Sequence, residues 1–324
     1  MNTVVAPVDT NEQRLDARWL LGLYGIIPLC LLFVAADALL LQGNVVRALP
    51  ADPHSMQWFS LFFMLPHIFA SMFTFLDREY IATYRRQLAL SVPAIAAGAA
   101  AFISLLGEAA FAIFIAVYTV YHLMSQQAGI AAMVARHKSA TWDAWRWSLF
   151  LLVTLLYMAM LTGNPLFHSL VIACAVLFGL PFLVLGNRLA QECAPGTGRL
   201  YVHANTGMVL ACFLFYFLEM PFFVVLIPRF VHDVSAFSFY VTHNRNRNRV
   251  QRHNLLVRLT AAMRLPEYIA TPVAGIAAAA AATAALGGNP QGMFLMMAFL
   301  SLFHYYWESV MWKAGTVHRQ HVRL

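Results

Sequence analysis

Apolar runs long enough to cross the roughly 30 Å hydrocarbon core of a bilayer recur from one end of this chain to the other. They read as Trp19–Leu41, Met56–Leu76, Leu88–Leu106, Ala109–Val134, Trp147–Leu161, Leu166–Leu185, Asn205–Ile227, Tyr268–Leu286 and Gly292–Trp312, with a shorter run at Phe230–Thr242. Only two structures satisfy every backbone hydrogen bond inside lipid, and runs of this length select the helix over the barrel strand. Of 324 residues only 11% are charged, against about 25% in a chain that must wet its own surface. The expected fold is an all-α, polytopic transmembrane helical bundle, with the lipid bilayer as its first partner.

The basic residues orient the bundle. Arg14 and Arg18 precede the first run, Arg78, Arg85 and Arg86 separate the second from the third, and Arg136, Lys138 and Arg146 the fourth from the fifth. Arg188 and Arg199 lie between the sixth and seventh, whereas the alternate loops carry little beyond Arg47. Short cytoplasmic loops collect Lys and Arg, so the N-terminus is expected inside. Asp9, Glu12 and Asp16 ahead of the first run argue for a retained span over a cleaved signal peptide.

Arg245, Arg247, Arg249, Arg252, Arg258 and Arg264 then require the chain to turn near Pro228–Arg229 and return through Phe230–Thr242. This predicts ten spans, or nine if Asn205–Thr242 is one long kinked helix. Both termini are then cytoplasmic. The organisation expected is a cytoplasmic segment 1–18, a single transmembrane domain 19–313 with a basic cytoplasmic loop 244–265, and a tail 314–324. The stretch opening at Asn244–Arg252, with Leu255, Leu256, Leu259 and Met263 after it, resembles an amphipathic segment on an anionic leaflet. The same logic accounts for the net charge of +7 without nucleic acid as a partner. Regular obedience to the positive-inside rule suits a bacterial inner membrane.

Twelve histidines are many for such a chain. His67, His122, His232 and His304 sit on helices expected to run in the same direction, and at 1.5 Å per residue their rings fall in a slab about 8 Å thick. Ionisable groups at membrane depth face a bundle interior and mark function. Neutral imidazoles from several helices at one depth are what a buried iron, copper or zinc ion needs. Gln126 and Glu308 follow His122 and His304 by one turn, and Asp233 follows His232. They are candidates to orient ligands or move protons. Glu219 is a further carboxylate expected inside a span.

The other features read as structural. His243 ends the short return, as a further ligand or a solvated ring, and His318 and His321 belong to a solvated tail. His54, His137, His168, His203 and His253 are interfacial. Tyr305, Tyr306, Trp307 and Trp312 read as anchoring and packing residues, the alternative being that the tyrosines nearer His304 line a pocket for a flat or long apolar substrate. Cys30, Cys174, Cys193 and Cys212 form no Cys-x-x-Cys pair and read as small hydrophobes.

Leu65–Pro66–His67, followed by buried histidines at His122 and His232, resembles the Brp/Blh family of membrane β-carotene dioxygenases. The resemblance implies that His67, and with it His122 and His232, bind one iron that uses dioxygen on a carotenoid. Two departures accompany it: Ile68 stands where that family favours Gly, and Ala236 stands where a second histidine would follow His232. His304 would supply the missing ligand. The expected function is a histidine-ligated, non-haem iron oxygenase acting on a lipid-soluble substrate, supplied by an electron donor. The alternatives are a proton-coupled transporter using the same His and Glu residues, and a haem-binding membrane protein.

Overall fold

The computed structural model describes residues 13–50, 56–287 and 289–324. Among them there is no β-strand, and eight helices are long and apolar enough to cross a membrane. His54 and the N-terminal Asp9 and Glu12 lie outside the described residues.

In chain order the helices are α1 (Ala17–Leu40), α2 (Ser60–Leu76), α3 (Arg78–Leu106), α4 (Glu108–Ala135), α5 (Ala140–Thr162) and α6 (Pro165–Glu192). They continue as α7 (Thr197–Phe217), α8 (Pro221–Arg247), the short α9 (Leu255–Ala262), α10 (Glu267–Ala285) and α11 (Pro290–Met311). Polar residues punctuate the joints. Asp77, Ser139, Asn164, Asn254 and Asn289 each accept backbone N–H groups at a helix start, and Pro165 and Pro290 stand in the first turn that follows.

The turn ahead of the eighth helix corrects the sequence reading. It falls at 218–220, with Glu219 at φ +58°, rather than at Pro228–Arg229, and α8 runs unbroken for 27 residues. Pro221 in the first turn of α8 costs no hydrogen bond, because those N–H groups have no partner inside a helix. Pro228 removes the bond that would reach the Val224 carbonyl, and the Cys212 thiol of α7 points there at 3.7 Å instead. The return is therefore full length, and Asn205–Thr242 is two helices packed side by side. Glu219 moves with the turn: it is exposed at a helix junction, not inside a span.

α8 is the axis of the bundle, with Val224, Ile227 and Val231 fully buried, while α3 and α6 turn residues such as Leu105, Val176 and Leu180 outward. That inversion of the usual solvent rule is what lipid permits. α10 closes on α2 at Gly275, where an added Cβ would stand 2.5 Å from the Pro66 carbonyl oxygen. Small residues at such crossings let backbones approach.

The basic stretches meet at one end. The Leu15 N–H donates to the Arg323 carbonyl at 2.8 Å, the Gln13 N–H to Asn246 Oδ1 at 2.9 Å, and Asn246 Nδ2 to the His321 carbonyl at 2.8 Å. The first described residues, the C-terminal tail and the end of α8 thus share one face. The Arg/Asn run divides its labour accordingly: Asn244, Asn246 and Asn248 are buried while Arg245 and Arg249 face outward. The tail is not loose. His318 is fully buried, its ring stacked on Tyr80 at 3.9 Å and on His243 at 5.0 Å. Trp307 and Tyr305 are also buried, at 1% and 3% exposure, and so pack inside the bundle.

Candidate metal centre

Four helices bring the expected histidines together. α2 supplies His67, α4 His122, α8 His232 and α11 His304. The rings close a circuit, with centroid separations of 5.3 Å for His67–His232, 4.9 Å for His232–His122, 5.0 Å for His122–His304 and 4.9 Å for His304–His67. His67, His232 and His304 are fully buried.

Local backbone presents His67. Ser60–Met64 is wound as a π-helix just before Leu65–Pro66–His67. Such wide turns are uncommon and concentrate at functional sites. Pro66 has no N–H to give to the turn before it, so the widened segment and the close Gly275 crossing set where His67 sits.

Hydrogen bonds fix which nitrogen of each ring is free. His67 Nδ1 faces two acceptors, Asp233 Oδ1 at 3.3 Å and the Phe63 carbonyl at 3.4 Å. The proton therefore sits on Nδ1 and the lone pair on Nε2. His304 Nδ1 lies 2.8 Å from Ser71 Oγ, whose own proton goes to the Ile68 carbonyl at 2.6 Å. His304 must donate there, which again leaves Nε2 with a lone pair. Neither Nε2 has a hydrogen-bond partner, and neither does either nitrogen of His232. A buried polar atom left unpaired costs about 1–3 kcal/mol. Several converging on one point call for an electrophile.

One atom each from His67, His232 and His304 lies within 4.8 Å of the other two, as do atoms from His122, His304 and Glu308. Ligand distances of about 2.1 Å put opposed donors about 4.2 Å apart, so small ring movements would close either set on a metal ion. His304 belongs to both. Glu308 Oε2 stands 3.2 Å from His122 Nε2, and Tyr240 donates to the other oxygen, Oε1. Asp233 bridges the set to Arg229, one turn earlier on α8, whose Nε donates to Oδ2 at 3.1 Å.

Not every candidate arrives. Gln126 is on α4 below His122, but its Oε1 is buried without a hydrogen bond and touches none of the four rings through one. The neighbouring Gln127 is the structural amide, accepting from the Tyr24 and Tyr201 hydroxyls at 3.0 and 3.2 Å. His243 stands apart, about 16 Å along α8 from His232. It packs with His318, its Nε2 on the Tyr80 hydroxyl at 2.9 Å and its Nδ1 on Asn244 Oδ1 at 3.3 Å. Burial, with His243 and Arg247 nearby, presses the His318 ring down to about 2, and burial takes His321 to about 4.

Residues missed in the sequence complete the site: Arg229, Ser71, Tyr240 and Thr119. The Arg229–Asp233 spacing of four on one helix was the available signal. Tyr305 packs on His122 at 4.2 Å, lines a cavity beside it, and donates to Thr119 Oγ1 at 2.8 Å, whose proton goes to the Ile115 carbonyl.

Above this layer is a cavity of about 600 Å³. Arg229, Tyr305 and Thr119 line its inner end, and it extends to His168, Tyr216 and Glu219 at the end of the bundle away from the C-terminal tail. The fold and the site together define a multi-pass helical membrane protein with a buried polyhistidine cluster that could hold a metal. Comparison with protein-family models, with curated proteins and with solved structures finds no match for this chain.

Proposed function

We propose that this chain is a membrane-embedded metalloenzyme, a histidine-ligated non-haem iron oxidoreductase acting on a lipid-soluble substrate in a bacterial inner membrane. One observation carries the reading: buried imidazole nitrogens of His67, His232 and His304 without a hydrogen-bond partner, the tautomers of His67 and His304 fixed by their Nδ1 bonds, gather beside His122 and Glu308. Imidazole and carboxylate suit iron, and a bound iron would supply dioxygen activation. The iron and its oxygenase chemistry are what the Brp/Blh resemblance adds to this geometry; zinc and copper also accept imidazole.

The chain's own part is physical. The Phe63 carbonyl and Ser71 hold the His67 and His304 rings in their ligating tautomer, with Asp233 beside His67. Tyr240 and His122 orient Glu308, which stands ready to take or hold a proton beside the cluster. The apolar wall of the cavity, with Ile115, Val225 and Met297, admits an apolar molecule and keeps water away from the metal layer. A cytoplasmic reductase would serve as electron donor.

The alternatives fit less well. A porphyrin between two axial histidines needs a flat slot, and the other two rings fill it. A transporter that relays protons through Glu219 loses its midplane carboxylate, because that residue stands at the mouth.

The test is substrate-dependent dioxygen uptake by protein purified in lipid nanodiscs, loaded with ferrous iron and offered a panel of polyenes and long-chain lipids. Uptake with oxygenated product, absent from the His67, His122, His232, His304 quadruple alanine variant, is expected. Full iron loading with no uptake for any substrate contradicts the reading.

A further inference from the structure

Arg229 is the unusual member of the cavity lining. It is 2% exposed, in the middle of a helix that an apolar bundle surrounds. Its Nε is spent on Asp233, yet its Nη2 is buried with no hydrogen-bond partner. Such a group is expensive unless something else occupies it, and guanidinium donors match carboxylate oxygens in geometry and charge. The carboxylate of Asp233 offsets part of the charge but leaves that edge of the fork unused.

Position matters as much as chemistry. Along α8 the order from the cavity mouth inwards is Glu219 just before the helix, then Arg229, then His232 and Asp233. Arg229 stands about 12 Å in from Pro221, at the floor of the cavity and one turn above the metal layer. The wall between is mostly apolar: Val225, Leu161, Met160 and Met297 line the way, with Tyr157 and Ser301 among them. The mouth holds an acidic residue, which disfavours an anionic head lodged there and favours one at the far end.

The geometry points to a long-chain carboxylate as the ligand of this cavity, entering head first, with its carboxylate on Arg229 Nη2 and its alkyl tail towards Glu219. The binding statement rests on the cavity alone; combined with the metal-centre reading, it names the substrate class as fatty-acid-like and places the carboxylate end nearest the histidines. Tyr305, whose hydroxyl is held by Thr119, closes the other side of the floor.

The probe is a dodecanoate bearing a diazirine at its tail end, photocrosslinked to the full chain in lipid nanodiscs and mapped by peptide mass spectrometry. Metal content is measured on the same samples. Label is expected at the mouth, on Leu161, Tyr216 or Pro221. Unlabelled dodecanoate should compete at least about tenfold better than dodecanol or dodecyltrimethylammonium, the scale of a charge-assisted hydrogen bond.

Arg229→Gln alone would strand Asp233, so it is paired with Asp233→Asn. That double variant should bind the three competitors within about twofold of one another, and Ala298→Phe, which fills the cavity wall, should abolish labelling. Equal competition in the wild type, an unchanged preference in the double variant, or label confined to the lipid faces of α3 and α6 overturns the inference. Carboxylate preference without metal would sink the metal reading and leave this one standing; metal without the preference would do the reverse.

Discussion

Two clusters of histidine are buried in this protein, and they are built in opposite ways. In the first, His67, His122, His232 and His304 stand edge to face around a common centre, at interplanar angles of 68° to 87°. In the second, where the C-terminal tail meets the end of α8, His243 and His318 lie nearly parallel at 11°, with Tyr80 stacked beyond. Edge-to-face rings aim nitrogens at one point. Parallel rings aim them side by side. The second cluster satisfies most of its nitrogens with tyrosine and asparagine, at Tyr80, Asn244 and Tyr84, and His318 Nε2 is left without a hydrogen bond. Burial of histidine is thus no sign of a metal; convergence of unpaired lone pairs is.

The sharpest way to break the comparison is through the carboxylates. Asp233→Ala leaves Arg229 buried and uncompensated, which should cost about 3–5 kcal/mol in an SDS unfolding titration. Retained stability would mean that the ion pair does not hold the first cluster together. Next is Gly275→Ala. The new methyl would press on the Pro66 carbonyl, and overpacking of this kind costs about 1–3 kcal/mol. Because Pro66 positions His67, metal retention should fall as well, whereas the tail cluster should be untouched.

The second cluster predicts a pH response. His318 and His321 are held down to about 2 and about 4 in the folded chain, below the ordinary 6.5. Between about pH 2 and 6.5 the unfolded chain therefore binds more protons, so stability is full above that window and falls as pH drops through it. The thermal midpoint should decline from pH 7 to pH 5, and His318→Phe should flatten the slope. A slope unchanged in that variant contradicts the assignment. The smallest effect is expected from Tyr80→Phe, which removes one neutral hydrogen bond from His243, worth about 1 kcal/mol.

How much of this was readable in the chain follows the same division. The bundle was legible because lipid leaves so few options, and the shared depth of the four histidines followed from loop charges and helical rise alone. Arg229 was lost because Pro228 looked like a turn. A proline inside a helix removes one hydrogen bond, and a thiol on a neighbouring helix can cover the vacated carbonyl, which no local pattern announces. The tail cluster was invisible for a different reason. Its contacts join residues 163 and 234 positions apart, Tyr80 to His243 and Tyr84 to His318, so a short His-x-x-His looked solvated. Gln126 was the converse error: one turn from a ligand places a side chain on the same helix face, but packing directs where it ends.

The central claim is that the first cluster holds a metal ion and the second does not. Elemental mass spectrometry of detergent-purified protein measures it directly, on wild type, on the His67, His122, His232, His304 quadruple alanine variant and on His243→Ala with His318→Ala. The expected result is close to one equivalent or more of metal, iron first among candidates, in wild type and in the tail double variant, and loss of nearly all of it in the quadruple variant. Less than about one tenth of an equivalent of iron, copper and zinc together in the wild type, or equal metal in all three proteins, would contradict it.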